Sequence, residues 1–311
     1  MEKQNLLHKL IVYTFNTTTL IMNNIRSIKR VIYAQKVNMG GHILDQAIPM
    51  HGIDQIDPFL LLHHWASEMP GGDDPSQVGV GPHPHRGFAP VTYIFDGNIH
   101  HRDSIGNSSI VHEGGTQWMH AGTGIVHSER PSKALAEKGG KFEFLQIWIN
   151  TPAANKMTEP FYLPLNRKDV PEIVEEGKRI GVFSGTLSGL TGKVEYGSPL
   201  TTARFELESG KEYTFDLTKN QNLFIYQLNG KLLVNGEQEV DAKGLTWFEN
   251  NGETVTIKAL ESTRGIILGG EPINEEISTY GPFVMNNQRE IRQAINDYNS
   301  GLMGTLVEDF E

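Results

Sequence analysis

The sequence predicts an all-β protein: two tandem β-barrels followed by a short C-terminal helix. Three observations lead there. Short runs rich in β-branched and aromatic residues alternate with Gly-, Pro- and Asn-containing turns along most of the chain. At 311 residues it is about twice the usual length of one domain, enough for two cores. The two halves also echo one another. Tyr93-Ile94-Phe95-Asp96-Gly97 and then Gly115-Thr116-Gln117-Trp118 recur as Tyr226-Gln227-Leu228-Asn229-Gly230 and then Gly244-Leu245-Thr246-Trp247.

The elements follow in chain order. Residues 1–21 carry Lys3 and Lys9 before the mildly apolar Leu10-Ile11-Val12-Tyr13. Asn16-Thr17-Thr18-Thr19 breaks that run, it is too short to cross a bilayer, and no small-x-small cleavage site follows. The segment is therefore expected to be an extension, with Met22 as an alternative start, and the protein to be cytoplasmic. The first barrel is assigned to residues 22–165, with strands at Arg30 to Ala34, Phe59 to Trp65, Val91 to Phe95 and Phe142 to Asn150. Between 152 and 179, Pro152, Pro160, Pro164 and Pro171 among scattered charges read as a connection. The second barrel takes residues 166–311, with strands at Thr202 to Leu207, Glu212 to Leu217, Leu223 to Leu228, Lys231 to Val234 and Thr254 to Ala259. Asn229-Gly230 and Asn235-Gly236 have hairpin-turn chemistry. A helix is expected after Asn286 or Asn287 as N-cap, with Ile291, Ala294, Ile295 and Tyr298 on its apolar face and Gly301 as its stop.

Composition excludes several functions. With 37 acidic against 27 basic residues the net charge is −10, and no dense basic stripe exists to displace counterions, so direct nucleic-acid binding is not expected. No run suits a membrane span. There is no cysteine, which removes disulfides, thiolate zinc sites and cysteine nucleophiles together. Any metal must be held by nitrogen and oxygen.

All 12 histidines lie between His8 and His127. If the halves repeat, counting from the matched tyrosines puts Asp216 and Thr218 opposite His83 and His85. Counting from the matched tryptophans puts Thr256 and Lys258 opposite His127 and Glu129. The second copy has lost the imidazoles of the first.

Residues two apart on a strand share a face, so His83-Pro84-His85 and His127-Ser128-Glu129 on neighbouring strands aim three imidazoles and a carboxylate at one interior point. Alone, a His-x-His pair is a weak signal, since buried histidines often serve only to satisfy backbone groups. The second pair, preceded by Ala121-Gly122-Thr123-Gly124, makes that reading less economical. Three nitrogens and one oxygen suit one six-coordinate, redox-capable ion with positions left open, Fe(II) first, with Mn, Ni or Cu as alternatives and Zn as a further, redox-inert one. No separate organic cofactor site is read. Other histidines rank lower. One of His63-His64 is expected to point inward and the other outward, with a structural role, and His100-His101 with Asp103, in a hairpin or loop, reads either as a pair supporting the ligands or as a rival metal site. His112 and His120 have no partner at matching spacing.

Gly81-Pro82-His83-Pro84-His85-Arg86-Gly87-Phe88, His101-Arg102-Asp103-Ser104-Ile105-Gly106-Asn107, Gln117-Trp118-Met119 and Gly124-Ile125-Val126-His127-Ser128-Glu129 together resemble the pirin family of bicupins. Asp57-Pro58-Phe59-Leu60 and Gly281-Pro282-Phe283-Val284-Met285-Asn286 also resemble pirin segments, and the similarity runs from about Arg26 to Gly304. It implies two jelly-roll-like cupin barrels, a metal on His83, His85, His127 and Glu129, and a metal-free second barrel. Pirins are associated with Fe(II). Some bacterial members resemble quercetin 2,3-dioxygenases in activity, while an animal member acts as a redox-sensitive transcriptional coregulator. Many pirins have Phe-Glu-Thr where this chain has Phe88-Ala89-Pro90, which puts the pocket's acid–base chemistry in question.

Two functions are therefore expected to compete. One is a dioxygenase acting with dioxygen on a flavonol or similar enolisable aromatic, with Glu129 as ligand and base and Trp118 and Met119 shaping a dry pocket. The other is a non-enzymatic metal or redox sensor that binds a protein partner.

Overall fold

The computed structural model describes residues 24–310; the expected extension, residues 1–21, lies outside them. Each half forms a barrel from one seven-stranded and one four-stranded antiparallel sheet. In the first barrel the large sheet runs Phe161–Leu165, Thr116–His120, Phe88–Asp96, Gly140–Asn150, Phe59–Met69, His42–Ile48, Gln35–Met39. Its small sheet runs Val80–His85, Ile125–Arg130, Asn98–Asp103, Ser108–His112. The second barrel's large sheet runs Ile28–Tyr33, Gly244–Phe248, Asn222–Gln227, Thr263–Gly270, Leu200–Leu207, Lys178–Ser184, Glu172–Glu175, and its small sheet Glu212–Asp216, Thr254–Ala259, Lys231–Val234, Gln238–Asp241. Position by position the orders correspond, so the faint repeat reflects a real duplication of fold.

The two large sheets pack face to face. In Phe88–Asp96 the alternation sends Ala89, Val91, Tyr93 and Phe95 into a core shared with Phe224, Tyr226, Leu245 and Leu268 of the second barrel. Phe59 meets Phe224 edge-on, with ring centroids 5.1 Å apart. His64 lies in this interface, its ring bonded to Glu143 at 2.9 Å and to the Tyr226 hydroxyl at 3.0 Å, with Lys243 Nζ donating to it at 2.9 Å. Ala89 belongs to the shared core, so that half of the departure from Phe-Glu-Thr faces away from the barrel interior, while Pro90 lies on the other face, opposite Trp148.

The chain ends cross over. Ile28–Tyr33 pairs with Gly244–Phe248 and so edges the second barrel, although it precedes the first. The C-terminal helix Gln288–Asn299 packs Ile291 and Ala294 against Val126, Phe283, Met285 and Met303 on the first barrel. Its N-cap is Asn287, whose side chain accepts from the amides of Arg289 and Glu290, and Gly301 takes a positive φ just beyond its end. A second short helix, Lys133–Lys138, had no clear sequence signal. Residues 152–179 also hold more than a connection: Phe161–Leu165 and Glu172–Glu175 edge the two large sheets.

Two local readings need correction. Asn235-Gly236 does turn a hairpin, with φ of 52° and 72°, but Asn229-Gly230 carries the chain between sheets, because Asn222–Gln227 and Lys231–Val234 do not pair. The expected hairpin around His100 and His101 is present: both lie on Asn98–Asp103, the arm that pairs with Ser108–His112. The repeat count had slipped by one residue. Thr256 and Lys258 face outward, while Val255, Ile257, Tyr213 and Phe215 fill the second barrel's interior. A one-residue offset exchanges the two faces of a strand, and insertions between the matched landmarks hid it.

Candidate metal centre

His83 and His85 sit on Val80–His85, an edge strand of the small sheet, where Pro84 is tolerated because its missing N–H costs no inner ladder bond. The neighbouring strand Ile125–Arg130 places His127 opposite His83 on one side and Asp103 on the other. The ring centroids of His83, His85 and His127 are 4.4 to 5.0 Å apart, and their potential ligand nitrogens lie within 4.8 Å of one another. Among the described residues this is the one His/Asp/Glu group so arranged.

Hydrogen bonds select the nitrogen that each ring presents. His83 Nδ1 donates to the Gly81 carbonyl at 2.8 Å and His85 Nδ1 to that of Pro282 at 3.2 Å, leaving both Nε2 lone pairs free. His127 Nδ1 lies 3.5 Å from His101 Nδ1, and His101 Nε2 donates to Asp103 at 2.9 Å. Asp103 in turn accepts from Asn107 and the Ile105 amide. The chain Asp103–His101–His127 thus orients the third ring, with His101 stacked on Tyr162 at 3.8 Å. His127 Nε2 is buried without any hydrogen-bond partner, an arrangement that suits a metal ligand and costs free energy otherwise. Burial first, then the charge of His83, holds His85 and His127 well below the ordinary histidine pKa, so both are the neutral imidazoles a metal requires. The donor set fits a transition-metal ion. The rival trio is divided: His101 and Asp103 support His127, while His100 bonds Ser108.

Glu129 borders the same cavity as His83 and His85 but stands outside the three-histidine group. Its carboxylate accepts from the Thr92 hydroxyl at 2.8 Å, the Gln146 amide at 2.5 Å and the Gln117 amide. Sequence reasoning missed these donors. The signal was there: Gln117, Gln146 and Thr92 interrupt otherwise apolar runs at the phase that faces the interior.

The cavity beside the histidines measures about 400 Å³ and is mostly apolar, with Trp65, Phe142, Phe144 and Trp148 among the side chains that wall it. That size and apolar character match small-molecule sites. Trp118 is in the core between the barrels and Met119 in a separate cluster with Ala121 and Ile125, so neither shapes the cavity as expected. His63 does line it, while its neighbour His64 faces the second barrel, so neither points to solvent.

Burial pushes His63 down to about 4, whereas an unfolded chain titrates it near 6.5. Between those values the unfolded state holds more protons, so stability is full above pH 6.5 and falls as pH drops towards 4. His63 alone accounts for up to about 3 kcal/mol of that loss. Urea titrations at pH 7 and pH 4 should show a shallower acid loss in His63→Gln by roughly this amount; identical pH dependence would contradict it.

The chain matches the Pirin family model over residues 41–149 and the Pirin C-terminal cupin domain over residues 202–304. A Pirin-like protein of Solanum lycopersicum is 33% identical across 91% of this chain and 95% of its own length. The chain belongs to the pirin family. Pirin of Homo sapiens is 31% identical to it over 81% of this chain and 84% of its own. A crystal structure of quercetin 2,3-dioxygenase from Acinetobacter baumannii superposes with a TM-score of 0.85 at 33% identity, covering 91% of this pirin and all of that chain. The two-cupin architecture follows from membership as well as from the topology. Among the described residues no helix is long and apolar enough to cross a membrane.

Proposed function

We propose that this pirin is a dioxygenase that opens flavonols such as quercetin, or closely related enolisable aromatics, using one Fe(II) held by His83, His85, His127 and Glu129. The observation that carries the reading is the meeting of three imidazoles, two of which, His83 and His85, line a mostly apolar cavity of about 400 Å³. The superposition on a quercetin 2,3-dioxygenase supports it. When bound, the ion would acidify the flavonol hydroxyl and provide for reaction with dioxygen.

The chain's own residues have separable tasks in this reading. The three histidines supply lone pairs fixed in direction by Gly81, Pro282 and the Asp103–His101 pair. Glu129 completes the set and accepts the substrate hydroxyl proton. Its Oε2 has one protein donor, Gln146, so a lone pair is left for a ligand or a proton. Trp65, Phe142, Phe144 and Trp148 present flat apolar surface to an aromatic substrate and exclude water. Asp103→Asn, which weakens the support of His127, should lower metal affinity about 10- to 100-fold with the fold intact, as read by competition with a chromophoric chelator.

The test is turnover of Fe(II)-reconstituted protein with and without oxygen, following quercetin absorbance and oxygen uptake together. Oxygen-dependent loss of the flavonol above a metal-only control is expected, abolished in Glu129→Gln. No turnover from a fully loaded protein, with Glu129→Gln indistinguishable, would end the enzymatic reading and favour a metal-dependent regulator acting on a protein partner.

A further inference from the structure

The inner face of the first barrel carries a continuous polar row. Gln46 pairs with His63, His63 with Gln146, Gln146 with Thr92 and Thr92 with Gln117, each directly opposite the next across five adjacent strands. Three of the five donate to Glu129. The other two, Gln46 and His63, reach no part of the metal centre, and His63 lines the cavity one strand beyond Gln146.

The second barrel shows that the fold does not need this row. Its equivalent, read from the matched strand order and registers, is Val182, Ala203, Ile267, Ile225 and Thr246, and the first four belong to that barrel's apolar core. Where the first barrel has His63 the second has Ala203. A buried sheet position that packs well as alanine holds an imidazole only at a desolvation cost.

The tautomer of that imidazole is set by its neighbour. Gln46 Nε2 donates to the Pro49 carbonyl at 2.7 Å, which fixes Gln46 Oε1 towards His63. His63 Nε2 lies 2.7 Å from that oxygen and must carry the proton. Its Nδ1 is then a bare acceptor on a ring that lines the cavity, with no donor among the described residues, and burial keeps the ring neutral at physiological pH. Metal-binding groups at one end and an acceptor one strand past Gln146 describe a two-point site.

The geometry points to His63 as a specificity-determining residue that accepts a hydrogen bond from a second hydroxyl of the substrate, remote from its metal-binding end. The preferred ligand class is accordingly a polyhydroxylated aromatic, not one whose only hydroxyl is the metal-binding one. This rests on the flavonol reading above.

Binding separates the two. Fe(II)-loaded protein without oxygen is titrated with 3-hydroxyflavone and with flavonols bearing one added hydroxyl on either ring, and metal content is measured in every sample. At least one added hydroxyl should tighten binding about tenfold, a buried hydrogen bond's worth. His63→Phe should erase that gain, so that 3-hydroxyflavone and its hydroxylated relatives bind the variant alike. Gln46→Leu, which releases the tautomer without touching the cavity, should reduce the gain and serves if His63→Phe fails to fold. If no added hydroxyl tightens wild-type binding, or the gain survives both substitutions, the role of His63 is overturned while the flavonol reading stands. If no flavonol binds at all, both fall.

Discussion

Purified His127→Ala should contain less than about a tenth of the transition metal found in the wild-type protein, where one ion per chain is expected. His83→Ala should behave alike, and Glu129→Gln should lose most of its metal. The asymmetry has a physical source. Each histidine is pinned through Nδ1, so neither remaining ring can swing to replace a missing one. Glu129 rests on three donors without the ion, so its loss removes charge and one ligand but leaves the imidazole cluster standing. A second readout comes from stability. Binding at 100 times the dissociation constant adds about 2.7 kcal/mol to the folded state, and the orphaned His127 Nε2 is relieved at the same time. Wild type should therefore melt higher when metal is added, and His127→Ala should not. Full occupancy in all three variants by elemental analysis would place the site elsewhere, with His100, His101 and Asp103 next in line.

The architecture was legible because it depends on alternation and turn residues. Phe59 to Trp65, Val91 to Phe95 and Phe142 to Asn150 are long, apolar and β-branched or aromatic, and each is a central strand of the first barrel's large sheet. The three histidines were legible for a different reason: their i, i+2 spacing converts directly into a shared face. What was hidden depends on register between distant segments. Nothing local in Gln46, His63, Gln146, Thr92 and Gln117 says that they form one line, since cross-strand pairing links residues up to 83 positions apart. The pairing of His101 with Asp103 left two readings open, support for a ligand or a rival site. Only the strand order, which puts Asn98–Asp103 behind Ile125–Arg130 and not across the cavity from it, shows that they buttress His127.

Duplication explains how one fold carries both a reactive and an inert copy. The central core constrains the outer faces of both large sheets, which must remain apolar to keep the barrels together. The inner faces are under no such mutual constraint. One interior closed on Tyr213, Phe215, Val255 and Ile257, and the other kept polar groups around a cavity. An apolar interior is the more stable choice, so the first barrel's row and histidines carry a stability cost that binding offsets.

Starting the chain at Gln35 should lower the melting temperature by roughly 10 to 20 °C, whereas starting it at Met22 should leave it unchanged. The deleted strand Ile28–Tyr33 is the outer partner of Gly244–Phe248, and it touches both cores: Ile32 is buried in the shared one, while Ile28 and Val31 pack on the second barrel's interior. Arg26 goes with it. This fully buried residue donates through Nε to the Glu249 carbonyl at 2.7 Å and through Nη2 to the Asn250 side chain at 2.5 Å, and its own carbonyl accepts from Asn235. Losing that strand exposes a row of unpaired amides and three apolar side chains' worth of core, on the order of 5 kcal/mol. The Met22 start keeps every one of these contacts. The metal ligands touch none of them, so the shorter chain should still bind metal at low temperature, and its deficit should appear in urea and thermal melts first. An unchanged melting temperature for the Gln35 start would mean that the second barrel closes without its first strand.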